Sequence, residues 1–204
     1  MRALTARLQQ ALEDVYCLDP VVAVEDFHVA GGMLELGEHV RESLLVHHDG
    51  EETHLGLYIS DEVLAAAAQF AAQSSDELDE FCVATEGVSH FVYFTFCGAA
   101  QDRPVSQIEL EIQAEIDKFV LLRFVCGEPR ADLVLALFDR MELVPGLSER
   151  ERERYTLANQ AGRRYARWLD ARFRRGEGER AVADARALYR KPLAAKLEHI
   201  ARAA

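Results

Sequence analysis

The stretch EGVSHFVYFTFC, residues 86–97, decides the fold. From Val88 to Cys97 nearly every residue is β-branched or aromatic, the composition of a central strand. Gly87 suits the end of a helix that begins near 75. The other reading is one continuous helix over 75–97, which would hold Gly87 in its interior at about 1 kcal/mol. Periodicity does not separate the two for a short apolar run, and composition favours the strand. The choice bears on chemistry, because one continuous helix would put Glu86 and His90 on one face at i, i+4.

Working outward, RESLLVHH (41–48) and THLGLYI (53–59) flank Asp49-Gly50-Glu51-Glu52, a strong hairpin signal. Alternation puts Leu44, Val46 and His48 with Thr53, Leu55, Leu57 and Ile59 on the core face. Leu45, His47, His54 and Tyr58 take the other face. VVAVEDFHVA (21–30) reads as a further strand ending at Gly31-Gly32. Helices are expected at 3–16, where Leu4, Leu8, Leu12 and Val15 recur, and from Ser60 to about Ala72. Another starts from a capping box of Ser74 and Glu77. Further helices are expected over 106–124 and from Asp132 to Leu143. Past a boundary at Pro145-Gly146, one runs from Ser148 to about Arg175, followed by 179–190 and a short last helix after Pro192. The expected fold is therefore α+β: a small antiparallel sheet of about four strands (21–30, 41–48, 53–59, 88–97) covered by helices, with a basic helical C-terminal region.

Charge divides the chain the same way. Residues 1–147 carry 27 acids and 8 bases, a balance of −19, and residues 148–204 carry 8 acids and 15 bases, a balance of +7. The expected organisation is an acidic α+β domain over 1–147 with the basic helical region 148–204 packed on it, in the same or a sister protomer. Half of the 204 residues are hydrophobic, which excludes a disordered chain. No apolar run reaches the roughly 18 residues of a membrane helix, and the N-terminus lacks the apolar core of a signal peptide. Cys17, Cys82, Cys97 and Cys126 form no close pair, which disfavours a zinc ribbon or a dithiol motif and fits buried thiols in a reducing cytoplasm. Arg outnumbers Lys by 20 to 3, which suggests a GC-rich bacterial genome.

Three constellations can carry function. On the helix IELEIQAEIDKF, Glu111 and Glu115 lie four apart beside the apolar stripe and offer oxygen ligands to a hard cation. If 75–97 were helical, Glu86 and His90 would add a carboxylate and an imidazole from a facing helix. The Glu-x-x-His pairs of di-iron bundles are absent, so the ligand set is incomplete by that pattern. His47, His48 and His54 cluster on the hairpin, without an evident third type of ligand. Arg163, Arg164, Arg167 and Trp168 make a basic, aromatic helix surface suited to an acidic partner. Phosphate-binding glycine loops, the G-x-S-x-G elbow and H-E-x-x-H are all missing. The expected function is that of a non-catalytic bacterial cytoplasmic protein, regulatory or scaffolding, acting through protein–protein association or self-association. It would need no cofactor and meet no membrane, and nucleic acid would be met only through the basic helix. The alternative is a metal-dependent enzyme, with a divalent ion on Glu111 and Glu115 and with His90 and Glu86 as catalytic candidates.

Overall fold

A computed structural model describes residues 4–31, 40–50, 52–69, 75–127, 132–139, 143 and 146–203. In order, these form α1 (Leu4–Tyr16), a 3₁₀ turn (Val24–Phe27), β1 (Glu42–Asp49), β2 (Glu52–Ile59), α2 (Asp61–Ala68), α3 (Ser75–Gln101) and α4 (Gln107–Val120). Two π-helical turns follow, Leu121–Val125 and Leu135–Asp139. The chain then forms α5 (Glu149–Arg174), α6 (Gly178–Tyr189) and α7 (Leu193–Arg202). The fold is α+β but dominated by helices, and its described sheet is the single antiparallel pair β1–β2. None of the helices searched is long and apolar enough to cross a membrane.

The expected four-stranded sheet is therefore corrected to two strands. Residues 88–97 are the middle of the 27-residue helix α3. Six successive residues, Val88 to Tyr93, are buried, the polar Ser89 and His90 among them, so this part of the helix is covered all round. Its aromatic and β-branched composition reflects burial, which a central helix and a central strand both demand. Thr95 satisfies its hydroxyl within the helix by donating to the Phe91 and Val92 carbonyls. Gly87 is no helix terminator: a Cβ there would stand 3.2 Å from the Glu42 carboxylate and the Ile59 side chain, so glycine lets the hairpin lie against α3.

The expected strand 21–30 is corrected as well. The Gln9 side chain on α1 donates to the Val22 carbonyl (2.7 Å) and accepts from the Val24 amide (2.8 Å). These bonds consume the backbone groups a ladder would need, and the segment closes into the 3₁₀ turn instead. One isolated parallel bridge, His28 to Leu57, remains of the expected pairing.

The hairpin has the expected register: Leu44 opposes Leu57, Val46 opposes Leu55, and His47 opposes His54. Leu57 and Ile59 are buried, while Val46 to Gly50 and Glu52 at the far end are exposed. Ser60 caps α2 by accepting from the Val63 amide, and Ser148 and Glu151 form a reciprocal capping box on α5. Ser74 and Pro145, named above for a cap and a boundary, lie outside the described residues.

α3 is the central element, touching α1, α2, α4 and both strands. α4 lies between α3 and α5. At the α4–α5 crossing the Gly162 backbone sits so close that a Cβ would come within 2.6 Å of the Glu115 Cβ. α6 returns to α1, where Tyr189 stacks on Tyr16 with ring centroids 4.0 Å apart. Ala158, Tyr165, Leu169, Leu188 and Tyr189 from the basic region belong to the same apolar core as Leu12, Phe91 and Phe119.

Candidate metal centre

Where the start of β1 packs on the middle of α3, carboxylates and one imidazole converge. α3 and α4 run antiparallel, so pairs four residues apart on each helix stack in two layers. In one layer the Lys118 ammonium bridges Glu86 (3.1 Å) and Glu115 (2.9 Å). In the other, His90 Nε2 lies 3.6 Å from Glu111 Oε2, and Nδ1 lies 3.6 Å from Glu42 Oε2. Both contacts are longer than hydrogen bonds. Arg154 of α5 approaches the second Glu111 oxygen at 3.4 Å.

One carboxylate oxygen each from Glu86 and Glu111 and one ring nitrogen of His90 lie within 4.8 Å of one another. A first-row divalent ion binds nitrogen and oxygen at about 2.0–2.2 Å, which places its ligands about 3–4.4 Å apart. Small side-chain movements therefore suffice for all three to share one ion. His90 is 6 % exposed, and its Nε2 has no hydrogen-bond partner; Glu42 Oε2 is likewise buried and unpartnered. A buried polar atom without a partner is costly, and such atoms call for an explanation.

Electrostatics fit a site that holds positive charge. Burial pulls the His90 pKa down, but Glu111 and Glu42 outweigh it and hold the imidazolium well above its ordinary range. Burial raises Glu42 and Glu115, against the pull of His90 and Lys118 respectively. At Glu86 burial is outweighed by Lys118 and His90, and the carboxyl lies below its ordinary value. Lys118 is held well above its own value by Glu115 and Glu86 despite burial. In the metal-free chain the imidazolium turns Nδ1 toward Glu42 and Nε2 toward Glu111, each at 3.6 Å.

The structure thus brings together Glu86, His90, Glu111 and Glu115, all named from sequence, with Glu115 turned to Lys118. Glu42, Lys118 and Arg154 were not named. Glu42 was within reach of the strand pattern, since it shares the core-facing parity of Leu44, where a charge is out of place. Lys118 lies three residues after Glu115, but spacing gives no hint that it also reaches Glu86. Arg154 comes from 43 residues further along than Glu111, and no local signal connects them.

The other constellations stay apart from this centre. His47 and His54 are exposed, with ring centroids 6.2 Å apart, and His48 bonds Thr53 at 3.0 Å. Arg163 and Arg167 pair with Asp139, Arg164 donates to the Ala201 carbonyl, and Trp168 stacks on Tyr165 under the Arg172 guanidinium. On the opposite side of α4 a second buried polar group forms. There Asp117 accepts from Tyr16, Ser89 and Gln113, and Gln113 accepts from the Lys196 ammonium.

Compared with protein-family models, curated proteins and solved structures, the chain matches none, so the centre is read from its own geometry.

Proposed function

We propose that this chain is a divalent-metal-dependent protein, with the ion held by Glu86, His90 Nε2 and Glu111. The observation that carries the reading is the buried, unpartnered His90 Nε2 facing two carboxylates. With Nε2 on the ion, the Nδ1 proton would go to Glu42, the carboxylate–histidine–metal arrangement that fixes ring orientation and raises ligand basicity. Three protein ligands leave coordination positions open, as catalytic ions have and closed structural ions lack. An open position there suits Lewis-acid activation of water or of a substrate oxygen. The oxygen-rich donor set with one imidazole fits manganese or ferrous iron better than a thiolate-seeking ion. Arg163, Arg164 and Arg167 have partners within the chain, which favours the metal centre over partner contact through the basic helix.

The test is metal content and calorimetric titration with Mn²⁺ on untagged protein. One ion per chain is expected, lost in His90→Ala and Glu111→Gln while circular dichroism is unchanged. Glu42→Gln should weaken binding about 10-fold or more, as losses of orienting carboxylates do. Affinity should rise with pH above neutrality, because the ion must displace the His90 proton. A folded protein that takes up no divalent ion at millimolar concentration would overturn the reading.

A further inference from the structure

We propose that Lys118 is a built-in second cation of this centre: with it the cluster takes one divalent ion, and without it the same carboxylates take two. The inference rests on the metal reading above and deepens it. Glu86 is common to both layers, contributing to the group around His90 while accepting from Lys118. Glu115 is absent from that group and gives its carboxylate to the ammonium at 2.9 Å. The ammonium stands between the two carboxylates that a second ion would use, with Glu86 as the bridge. Paired ions sit about 3.5–4 Å apart in two-metal sites, and a hard cation needs only one or two carboxylates plus water.

Charge supports the count of one ion in the wild type. Four carboxylates (Glu42, Glu86, Glu111, Glu115) set against one divalent ion, Lys118 and Arg154 leave the cluster neutral once His90 has lost its proton. A second ion added beside Lys118 would leave two uncompensated positive charges in a buried place, which is strongly disfavoured. An ammonium in this role is fixed by the chain, so it neither dissociates nor changes oxidation state.

The experiment counts bound Mn²⁺ and records its electron paramagnetic resonance spectrum in the wild type, Lys118→Met and Lys118→Arg. The wild type and Lys118→Arg should bind one ion with the six-line spectrum of an isolated centre. Lys118→Met should bind two, with exchange broadening from a coupled pair. Because removing the ammonium can unfold the metal-free chain, Lys118→Met is also refolded with Mn²⁺ present, and recovery of the native fold with two ions is the expected result. One ion in folded Lys118→Met, or two in the wild type, overturns the proposal while leaving the metal reading intact. Failure of Lys118→Met to fold even with Mn²⁺ also overturns it, since a second ion then does not replace the ammonium. No ion in the wild type instead sinks the metal reading itself.

Discussion

Lys196 enters the core from α7 with no exposed surface, its ammonium 4.2 Å from the centre of the Tyr93 ring and bonded to Gln113. Burial lowers its pKa to about 7, although Glu109 and Asp117 favour the charged form, with Cys97 adding to them and Arg103 opposing. Between pH 7 and the ordinary lysine value the folded chain holds fewer protons than the unfolded one. Stability from this group therefore rises with pH across that window, by up to about 1.4 kcal/mol per pH unit. Asp117 has the opposite slope at lower pH: burial raises it to about 6, so its contribution falls as pH rises from about 4 to 6. His90 also opposes Lys196, because its raised pKa makes stability fall above the ordinary histidine value in the metal-free chain. The difference between the wild type and Lys196→Met isolates the lysine. Denaturant melts at pH 7, 8 and 9 should show the wild type gaining on the variant by roughly 1 kcal/mol per unit. A difference that stays flat would mean that Lys196 keeps its proton in the folded chain across this range, for example by being solvated through motion of α7.

At the scale of elements, the glycines inside helices separate local propensity from packing. Gly98 in α3 is exposed, with nothing within 4 Å of where a Cβ would stand. Gly162 in α5 is buried where a Cβ would meet Glu115 at 2.6 Å and Phe138 at 3.0 Å. Both would gain up to about 1 kcal/mol of helix propensity as alanine. Gly98→Ala should therefore raise the melting temperature by a few degrees. Gly162→Ala should lower it, because overpacking costs about 1–3 kcal/mol and displaces α5 from α4. Calorimetric scans of the two variants check this, and equal shifts would mean that the α4–α5 contact yields easily. The same glycine brings α5, and with it Arg154, beside the carboxylates of α4.

Across the whole molecule, part of the charge asymmetry is met inside the chain, where Arg154, Arg163 and Arg167 of the basic region face Glu111 and Asp139 of the acidic body. Asp139 receives Arg163 and Arg167, and Asp170 of the basic region receives Arg174 and the body's Arg123. These are mostly half-exposed pairs, worth about 0–1 kcal/mol each. The apolar contacts are larger: Tyr165, Leu169, Leu188 and Tyr189 are at most 1 % exposed, and each buried side chain of this size contributes roughly 1.5–3 kcal/mol. Neutralising Arg163, Arg164 and Arg167 together should cost no more than a few kcal/mol and leave the protein soluble. A chain ending at residue 147 should lose its cooperative melt or aggregate, since the faces of α1, α3 and α4 that meet α5 and α6 would face water. Solubility and near-ultraviolet circular dichroism compare the two. A truncated chain as stable as the full one would show that the body folds without the arm.

The sequence by itself determined what is local. The hairpin register follows from alternation and the Asp-Gly turn, and the caps at Ser60 and Ser148 follow from side chains that bond within three residues. The helical C-terminal region follows from its long 3.6-residue periodicity. Glu111 and Glu115 were legible as neighbours on one helix face for the same reason, and Glu86 and His90 as neighbours once the segment is helical. Only the tertiary structure decided that it is helical. Val88 to Tyr93 are buried on every side, and full burial selects apolar bulk without regard to the backbone's period. Only the tertiary structure, too, set Gln9 against Val22 and Val24 and turned an apparent strand into a 3₁₀ turn. The centre itself depends on three contacts distant in sequence: Glu42 on His90, Lys118 on Glu86, and Arg154 on Glu111. Such contacts are fixed by how helices and hairpin pack around α3, and no spacing along the chain encodes them.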